Sequence, residues 1–316
     1  MGLTDHPAAW GASEAPSAFV DSWWRTAGRT IWAYGELVKP RMVALLAFTA
    51  IVGMAVAAAA PGSVPTLPVA ATGVAAIVAG TAGCNALTGY LDRDIDRVME
   101  RTRHRPLCTG RIAPAYRAVA FGGGLLVVAL VLSGLRNPLS LAFMTLGIVD
   151  NVGVYSLWLK RTSRWNIVLG GIAGGMPVAF GWSYIAGSIG LATVLLAALV
   201  VLWTPTHIWS LALRYREDYA RAGVPMLPVV ADERTALRYM VVTGALLVPF
   251  SLLLPFTTRA AGTAYDLVAV AASVPLLAMS VRLWLRPTRD RAWRLFKFSS
   301  PYLAVIFATL LVSALW

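Results

Sequence analysis

The sequence contains little charge, little cysteine and little histidine for its length. Of 316 residues only 13% are charged, two are cysteine and three are histidine, whereas 58% are hydrophobic. Cys84 and Cys108 have no metal-binding spacing, and they need not form a disulfide. A soluble domain of this composition would expose a large apolar surface. The composition therefore excludes a soluble protein and indicates a polytopic membrane protein.

The N-terminal region has neither of the two features that define a secretory signal. Residues 1–20 lack both a basic start and a compact apolar core. Position 6 is His6 rather than serine or threonine, so the myristoylation motif is incomplete. We expect residues 1–20 to form a disordered cytoplasmic tail. Residues 21–41 combine tryptophans and a tyrosine with arginines, which predicts an interfacial amphipathic helix.

Nine apolar segments follow in residues 42–316, which we interpret as one membrane domain. Each has about the 20 residues that a bilayer requires. The sequence therefore predicts an all-α fold of nine transmembrane helices. Their expected bounds are 42–60, 66–91, 116–134, 138–158, 166–186, 190–213, 237–256, 264–284 and 298–316.

The basic residues predict how these helices are oriented. All but two of the 27 lysines and arginines fall in the N-terminal region or in every second connection. The two exceptions are Arg136 and Arg259. Because basic connections stay in the cytoplasm, the N-terminus is expected inside the cell, in the inner (plasma) membrane.

The densest cluster of charge lies between residues 84 and 111. Asp92 and Asp96 are four residues apart, so on a helix they share one face, with Asp94 on the opposite face. A basic segment follows, with Arg101, Arg103 and Arg105. Two carboxylates can hold Mg²⁺, the metal can hold a diphosphate, and arginines can bind its remaining oxygens. The alternatives are solvated carboxylates and a basic segment that only sets topology.

A second acidic loop follows the sixth segment and contains Glu217 and Asp218. The two acidic loops can face each other across one cavity and form a two-sided site, although Asp218 can also be a solvated loop charge. His207 lies inside the sixth segment. An ionisable group at membrane depth tends to line a cavity, but a lone histidine is more often a packed, hydrogen-bonded residue. Lys160 and Arg161 are either topology determinants or diphosphate contacts.

These stretches carry a family resemblance. The segment DRDIDRVMERTRHRPL, with Asp92 and Asp96, resembles the first aspartate-rich motif of the UbiA-type intramembrane prenyltransferases. Within that superfamily, several further segments together resemble the protohaem IX farnesyltransferases. The segments similar to theirs are LVKPR (37–41), YSLWLKR (155–161), NIVLGGIAGGMP (166–177), WTPTHIW (203–209) and ALRYREDYARAGVPMLPVV (212–230).

The resemblance implies a bundle of nine helices around a central cavity and a Mg²⁺-dependent reaction. Members transfer farnesyl from farnesyl diphosphate to a vinyl group of haem B, which yields haem O for haem-copper oxidases. The implied partners are farnesyl diphosphate, haem B, the lipid bilayer and the haem A synthase that uses the product, with no nucleic acid.

The resemblance also implies roles for individual side chains. Asp92, Asp96 and Asp218 would be catalytic and, with Glu217, bind the metal. The haem contacts would be His207, Tyr155, Asn166 and Arg214. The diphosphate contacts would be Asn85, Thr88, Lys39, Arg41, Arg101, Arg103, Arg105, Lys160 and Arg161.

One position departs from the superfamily pattern, and two other functions remain as alternatives. The pattern places asparagine four residues before the first aspartate, where this chain has Thr88, with Asn85 one turn earlier. The first alternative is a related prenyltransferase that acts on a quinone precursor or a lipid headgroup. The second is a non-catalytic haem-binding or transport protein, which gives no reason for two acid–arginine loops.

Overall fold

The computed structural model describes residues 28–60 and 65–315, and within these ranges the regular structure is helical, without strands. Nine helices there are long and apolar enough to cross a membrane. The all-α prediction and the count of nine are confirmed. We number them α1 (Pro40–Ala58), α2 (Leu67–Leu91), α3 (Tyr116–Arg136), α4 (Pro138–Thr162), α5 (Asn166–Ala186), α6 (Leu191–Arg214), α7 (Glu233–Phe256), α8 (Thr263–Leu285) and α9 (Arg289–Leu315).

The predicted tail and interfacial helix fall only partly within the described ranges. Residues 1–20 lie outside them, as does the start of the predicted 21–41 helix. Residues 28–37 are helical and precede α1. The helices α7 and α9 begin four and nine residues earlier than the apolar pattern predicts. Their first turns are polar, so hydropathy alone placed their starts too late.

The helices form two groups with a cavity between them. One group contains α1 to α5, and the other contains α6 to α9. Contacts of α5 with α6 and of α1 with α9 join the groups. Residues of α1, α2, α4, α5, α6 and α9 line the cavity.

Glycines let α1 and α5 approach to backbone contact. A Cβ added at Gly53 would meet the carbonyl oxygen of Val178, and one added at Gly181 would meet that of Ala50. Small residues that permit such close approach are typical of packed membrane helices. This contact joins α1 and α5 into one wall of the cavity.

Two helices are irregular where they border the cavity. Residues Val149–Leu159 of α4 form a π-helix, which is wider than an α-helix and often occurs at functional sites. Helix α5 is interrupted between Asn166–Leu169 and Ile172–Ala186. The carboxylate of Asp150 accepts a hydrogen bond of 2.7 Å from the backbone nitrogen of Ala173, in the first turn after the interruption. The π-helix and the interrupted helix therefore support each other.

Contacts between connections place the acidic loops at one end of the bundle. Arg161, after the π-helix, pairs with Asp94 after α2, and Arg289 at the start of α9 pairs with Glu217 after α6. At the other end, Asn137 between α3 and α4 donates to the carbonyl oxygen of Ser183 near the end of α5. The connections after α2, α4, α6 and α8 thus lie together, as the distribution of basic residues predicts.

Candidate active site

The cavity has a volume of about 520 Å³, within the ~300–1,000 Å³ that small-molecule sites occupy. Its walls consist of a charged part and an apolar part. Side chains at the loop end are charged, whereas deeper walls of α1, α2, α4 and α5 are apolar. The charged lining residues are Lys39, Asp92, Asp96, Arg101, Arg105 and Lys160. The apolar ones include Met42, Leu45, Leu46, Ile77, Phe143, Met144 and Phe180.

Asp92 is a buried carboxylate with one paired and one unpaired oxygen. It lies directly after α2, where one helix ends and the short Arg93–Val98 helix begins. Its Oδ2 is 2.6 Å from Nζ of Lys160. Its Oδ1 is buried and has no hydrogen-bond partner within the part of the chain that the structure describes. A buried oxygen without a partner indicates a place for an ion or a water molecule.

Asp96, one turn further on, faces the same cavity. Its Oδ2 is 2.5 Å from a guanidinium nitrogen of Arg105, and the residue is 3% exposed. The hydroxyl of Thr102 donates to the backbone carbonyl of Asp96, which closes the loop that carries Arg105. Asp94 points away and forms a two-bond ion pair with Arg161, and this guanidinium holds the pKa of Asp94 below its usual range.

Lys39 enters the cavity from the start of α1. It has a left-handed backbone with φ of 56°, which is uncommon for a residue other than glycine. The side-chain amide of Asn85 donates to the carbonyl oxygen of the preceding Val38 at 2.8 Å and holds this bend in place. Burial, with Arg105 and Lys160 nearby, lowers the pKa of Lys39 to about 8. The Thr88 hydroxyl is 3.3 Å from the Asn85 carbonyl, and both residues line the cavity.

The carboxylates of the cavity fit a magnesium ion that is shared with a phosphate ligand. Mg²⁺ prefers oxygen ligands and is usually held by one or two carboxylates together with substrate phosphates and water. Asp92 and Asp96 supply such oxygens, and one of them is unpaired. Across residues 28–60 and 65–315, no three histidine, cysteine, aspartate or glutamate side chains converge as a closed metal cage. A site that the substrate completes is consistent with both observations.

Asp218 meets the first acidic loop without lining the cavity. It lies in the Arg216–Arg221 helix and is 6% exposed. Its Oδ1 accepts hydrogen bonds from the backbone nitrogen of Glu100 at 3.1 Å and from Arg221 at 2.6 Å. The two acidic loops therefore do meet. Asp218 contributes a hydrogen bond between them and does not face the cavity. The next residue, Tyr219, does line the cavity, as does Arg101.

Several residues predicted for the site lie outside the cavity lining. The side chain of Glu217 is 74% exposed and pairs with Arg289 on the surface, a placement that gives no support to its predicted role as a metal ligand. Asn166 is fully buried, and neither polar atom of its side chain has a partner among the described residues. The remaining members of this set are exposed arginines, namely Arg41, Arg103, Arg161 and Arg214.

Tyr155 and His207 also line the cavity, and Nζ of Lys160 lies 5.9 Å from the centre of the Tyr155 ring. Tyr155, in the π-helix, packs into the space beside Gly170, where an added Cβ would lie 2.5 Å from its ring. The ring of His207 stacks between Trp203 and Phe296, with centroid distances of 4.4 and 4.2 Å. Trp293 extends the stack behind Phe296 at 4.9 Å.

The residues of α9 in this stack are absent from the sequence prediction. Trp293, Phe296 and Ser299 are spaced three apart, which places them on one helix face. That spacing could have predicted their common helix face from the sequence. It was missed because the predicted ninth segment began at residue 298, after two of the three.

The fold and the cavity define the class of the protein. It is a helical membrane protein whose intramembrane site suits a molecule with an anionic head and an apolar body. The model of the UbiA prenyltransferase family matches residues 46–308. The chain belongs to this family.

Its curated relatives indicate the branch. A protoheme IX farnesyltransferase from Desulforudis audaxviator is 50% identical, over 90% of this chain and 88% of the relative. One from Sulfurisphaera tokodaii is 40% identical, over 90% of this chain and 93% of the relative. At this identity and coverage, the chain is a prenyltransferase of the protoheme IX farnesyltransferase branch.

Solved structures agree on the fold. A structure of digeranylgeranylglyceryl phosphate synthase superposes with a TM-score of 0.75 at 19% identity, over 90% of this chain and 98% of that one. A UbiA homologue from Archaeoglobus fulgidus, bound to GPP and Mg²⁺, superposes with a TM-score of 0.58 at 18% identity, over 88% and 99% of the two chains. Identities this low support the shared architecture alone.

Proposed function

We propose that this protein transfers the farnesyl group of farnesyl diphosphate to a vinyl group of haem B, in a Mg²⁺-dependent reaction that yields haem O. One observation carries the proposal. A single cavity joins a cluster of cations and carboxylates to an apolar chamber and to a histidine at membrane depth. An isoprenoid diphosphate matches the first two parts, and a haem matches the third. The names of the curated relatives support this pair of substrates.

The cations are placed to bind the diphosphate as a leaving group. Lys39, Arg101, Arg105 and Lys160 line the same end of the cavity as Asp92 and Asp96, so cations outnumber carboxylates there. Arg105 and Lys160 already contact the carboxylates and need only small movements to share their donors with phosphate oxygens. Asp92 and Asp96 would hold Mg²⁺, which when bound with the diphosphate neutralises charge on the departing oxygen.

The reaction needs few chemical groups from the protein beyond these. The allylic C–O bond breaks, and the diphosphate leaves with the electron pair. The π electrons of the haem vinyl group then form the new C–C bond. Water adds to the resulting cation and loses one proton, which leaves a hydroxyl group. The protein contributes orientation and preorganised charge, while the apolar wall around Met42, Phe143 and Phe180 limits the access of other water.

We further propose that the charged end of the cavity faces the cytoplasm in the inner (plasma) membrane. The basic connections gather at this end, which is the orientation that positive charge favours. Farnesyl diphosphate would then enter from the cytoplasmic side and haem from the bilayer. The haem A synthase that modifies haem O is the expected consumer of the product.

The test is an incubation of the purified protein with haem B, farnesyl diphosphate and Mg²⁺, followed by mass analysis of the haem. We expect a haem that has gained one farnesyl group and one hydroxyl group, with one diphosphate released for each haem converted. Consumption of the diphosphate only with a quinone precursor or a lipid acceptor would favour the related prenyltransferases. Haem binding without any diphosphate release would favour a non-catalytic haem-binding or transport protein.

A further inference from the structure

We propose that Ser299 is a positioning residue that fixes the tautomer of His207. In this arrangement the ring carries its proton on Nδ1, and the lone pair of Nε2 faces the cavity as the ligand of the haem iron. The proposal rests on haem being the acceptor, as set out under the proposed function. It adds a residue of α9 and assigns the donor atom.

Hydrogen bonding at Ser299 sets the tautomer. The Ser299 hydroxyl donates its single proton to the backbone carbonyl of Phe296 at 3.0 Å. Its oxygen also lies 2.8 Å from Nδ1 of His207. Because that hydroxyl has no second proton, the short contact is satisfied when Nδ1–H donates to it. In a neutral ring this leaves Nε2 unprotonated. Ser300 is a more distant partner, with its oxygen 3.4 Å from the same nitrogen.

The aromatic stack leaves only the ring edge free. Trp203 covers one face of the imidazole at an interplanar angle of 23°, and Phe296 covers the other at 28°. A porphyrin therefore cannot stack on either face. The ring still lines the cavity, and Nε2 has no hydrogen-bond partner among the described residues. Contact with a ligand must then use the in-plane lone pair, which is how imidazole binds haem iron.

The surroundings of His207 favour the neutral ring that this role requires. Within residues 28–60 and 65–315, no carboxylate forms an ion pair with it. A buried imidazolium without a counter-ion would be costly. Neutral imidazole is the form that binds metals.

Ser299 also fixes the neighbour that holds the ring. Its backbone carbonyl accepts a hydrogen bond of 2.8 Å from the indole nitrogen of Trp203. The residue is fully buried in α9, whereas Trp203 and His207 lie one turn apart in α6. One residue therefore orients two members of the stack across the α6–α9 contact. Such partners of a metal ligand typically change metal affinity by about 10–100-fold when removed.

The test measures haem ligation in the purified full-length protein. Haem B is titrated into the protein, and the ferrous complex is examined by resonance Raman spectroscopy for the iron–imidazole stretching band. We expect the band in the unaltered protein, its loss in His207→Gly, and its return when imidazole is added to that variant. Ser299→Ala is expected to shift the band and to weaken haem binding by about 10–100-fold. Ser299→Thr, which keeps a hydroxyl, is expected to restore both.

A matched control separates this role from the general cost of removing a buried hydroxyl. Ser280 in α8 is also fully buried and donates to a carbonyl of its own helix, but its hydroxyl is bonded to Leu276 and not to His207. Ser280→Ala should leave the band and the haem affinity unchanged.

An unshifted band and unchanged affinity in Ser299→Ala would overturn the inference. So would an unaltered protein that forms haem O but shows no band that depends on His207, an outcome that leaves the proposed function intact. A band that depends on both residues, without haem O formation, would support the ligation and refute the transfer.

Discussion

The two acidic loops of this protein have similar compositions and opposite arrangements. Each follows a long apolar helix, begins a short helix and combines carboxylates with arginines. In the first loop, Asp92 and Asp96 are buried and face the cavity. In the second, Asp218 is equally buried but binds Glu100 and Arg221, while Glu217 lies on the surface.

The difference between the loops lies in which partners satisfy each carboxylate. Asp218 has a backbone nitrogen and a guanidinium on one oxygen, as a structural carboxylate does. Asp92 has a single lysine partner and keeps a buried oxygen unpaired. Burial alone therefore does not identify a reactive carboxylate. An unpaired oxygen beside a cavity is the better criterion, because it carries an unmet desolvation cost until a ligand binds.

The largest effect is expected at the first loop. Asp92→Asn or Asp96→Asn should lower kcat/KM for farnesyl diphosphate by at least about 100-fold, because each removes a charge that would hold the metal and the leaving group. The measurement is diphosphate release at varied Mg²⁺ concentrations. Haem affinity should be unchanged, since His207 shares no hydrogen-bond partner with Asp92 or Asp96 among the described residues. Full turnover in either variant would remove the metal assignment.

A smaller, pH-dependent effect is expected at Lys39, which faces the first loop. Its pKa is lowered to about 8, so the ammonium that we propose attracts the diphosphate is lost as the pH rises through that value. Over one pH unit above it, kcat/KM should fall by up to about tenfold, because kcat/KM reports the free enzyme. Lys39→Arg should abolish this step, since arginine remains charged. A step that persists in the arginine variant would assign it to another group.

The same shift has the opposite sign for stability. The folded pKa of Lys39 is lower than the value of about 10.4 expected in an unfolded chain. Between these values the unfolded state binds more protons, so Lys39 makes the fold more stable as the pH rises. Binding and stability should therefore change in opposite directions above pH 8, a divergence that thermal unfolding and kinetics can measure on one sample.

A moderate effect is expected at Asp218. Asp218→Ala removes the acceptor for Glu100 and Arg221, so the free energy of unfolding should fall by about 1–3 kcal/mol. Turnover should fall only several-fold, through loosening of the first loop. Asp218→Asn keeps an oxygen for the Glu100 nitrogen and should lose less. If Asp218→Ala instead changed the Mg²⁺ dependence as strongly as Asp92→Asn, the two loops would share one metal site after all.

Local sequence patterns predicted the fold and the arrangement of the first acidic loop, but not that of the second. Nine apolar runs of bilayer length fixed the helix count, and the four-residue spacing of Asp92 and Asp96 fixed their common face. Both follow from the period of a helix and the thickness of a membrane. The orientation of Asp218 does not, because it depends on the backbone of Glu100, 118 residues away in the chain.

The same limit applies to the part of the cavity around His207. His207 was recognisable as an ionisable group at membrane depth. Its partner Ser299 is 92 residues away, and the α6–α9 contact that joins them has no local pattern. The π-helix of α4 and the interruption of α5 were also not predicted, and the bond from the nitrogen of Ala173 to Asp150 that joins them links two different helices.

The smallest effect is expected at Glu217. A substitution there is a control for the loss of a buried charge at the adjacent Asp218. Glu217 and Arg289 form an ion pair whose side chains are 74% and 55% exposed, and pairs of this kind contribute little in water. Glu217→Gln should therefore leave turnover, Mg²⁺ dependence and thermal unfolding indistinguishable from those of the unaltered protein. The adjacent Asp218→Asn carries the same charge change at a buried position, so the two variants differ only in where the lost charge was. A marked rise in the Mg²⁺ requirement of Glu217→Gln would mean that the second loop turns inward when substrate binds, and this result would refute the contrast between the loops.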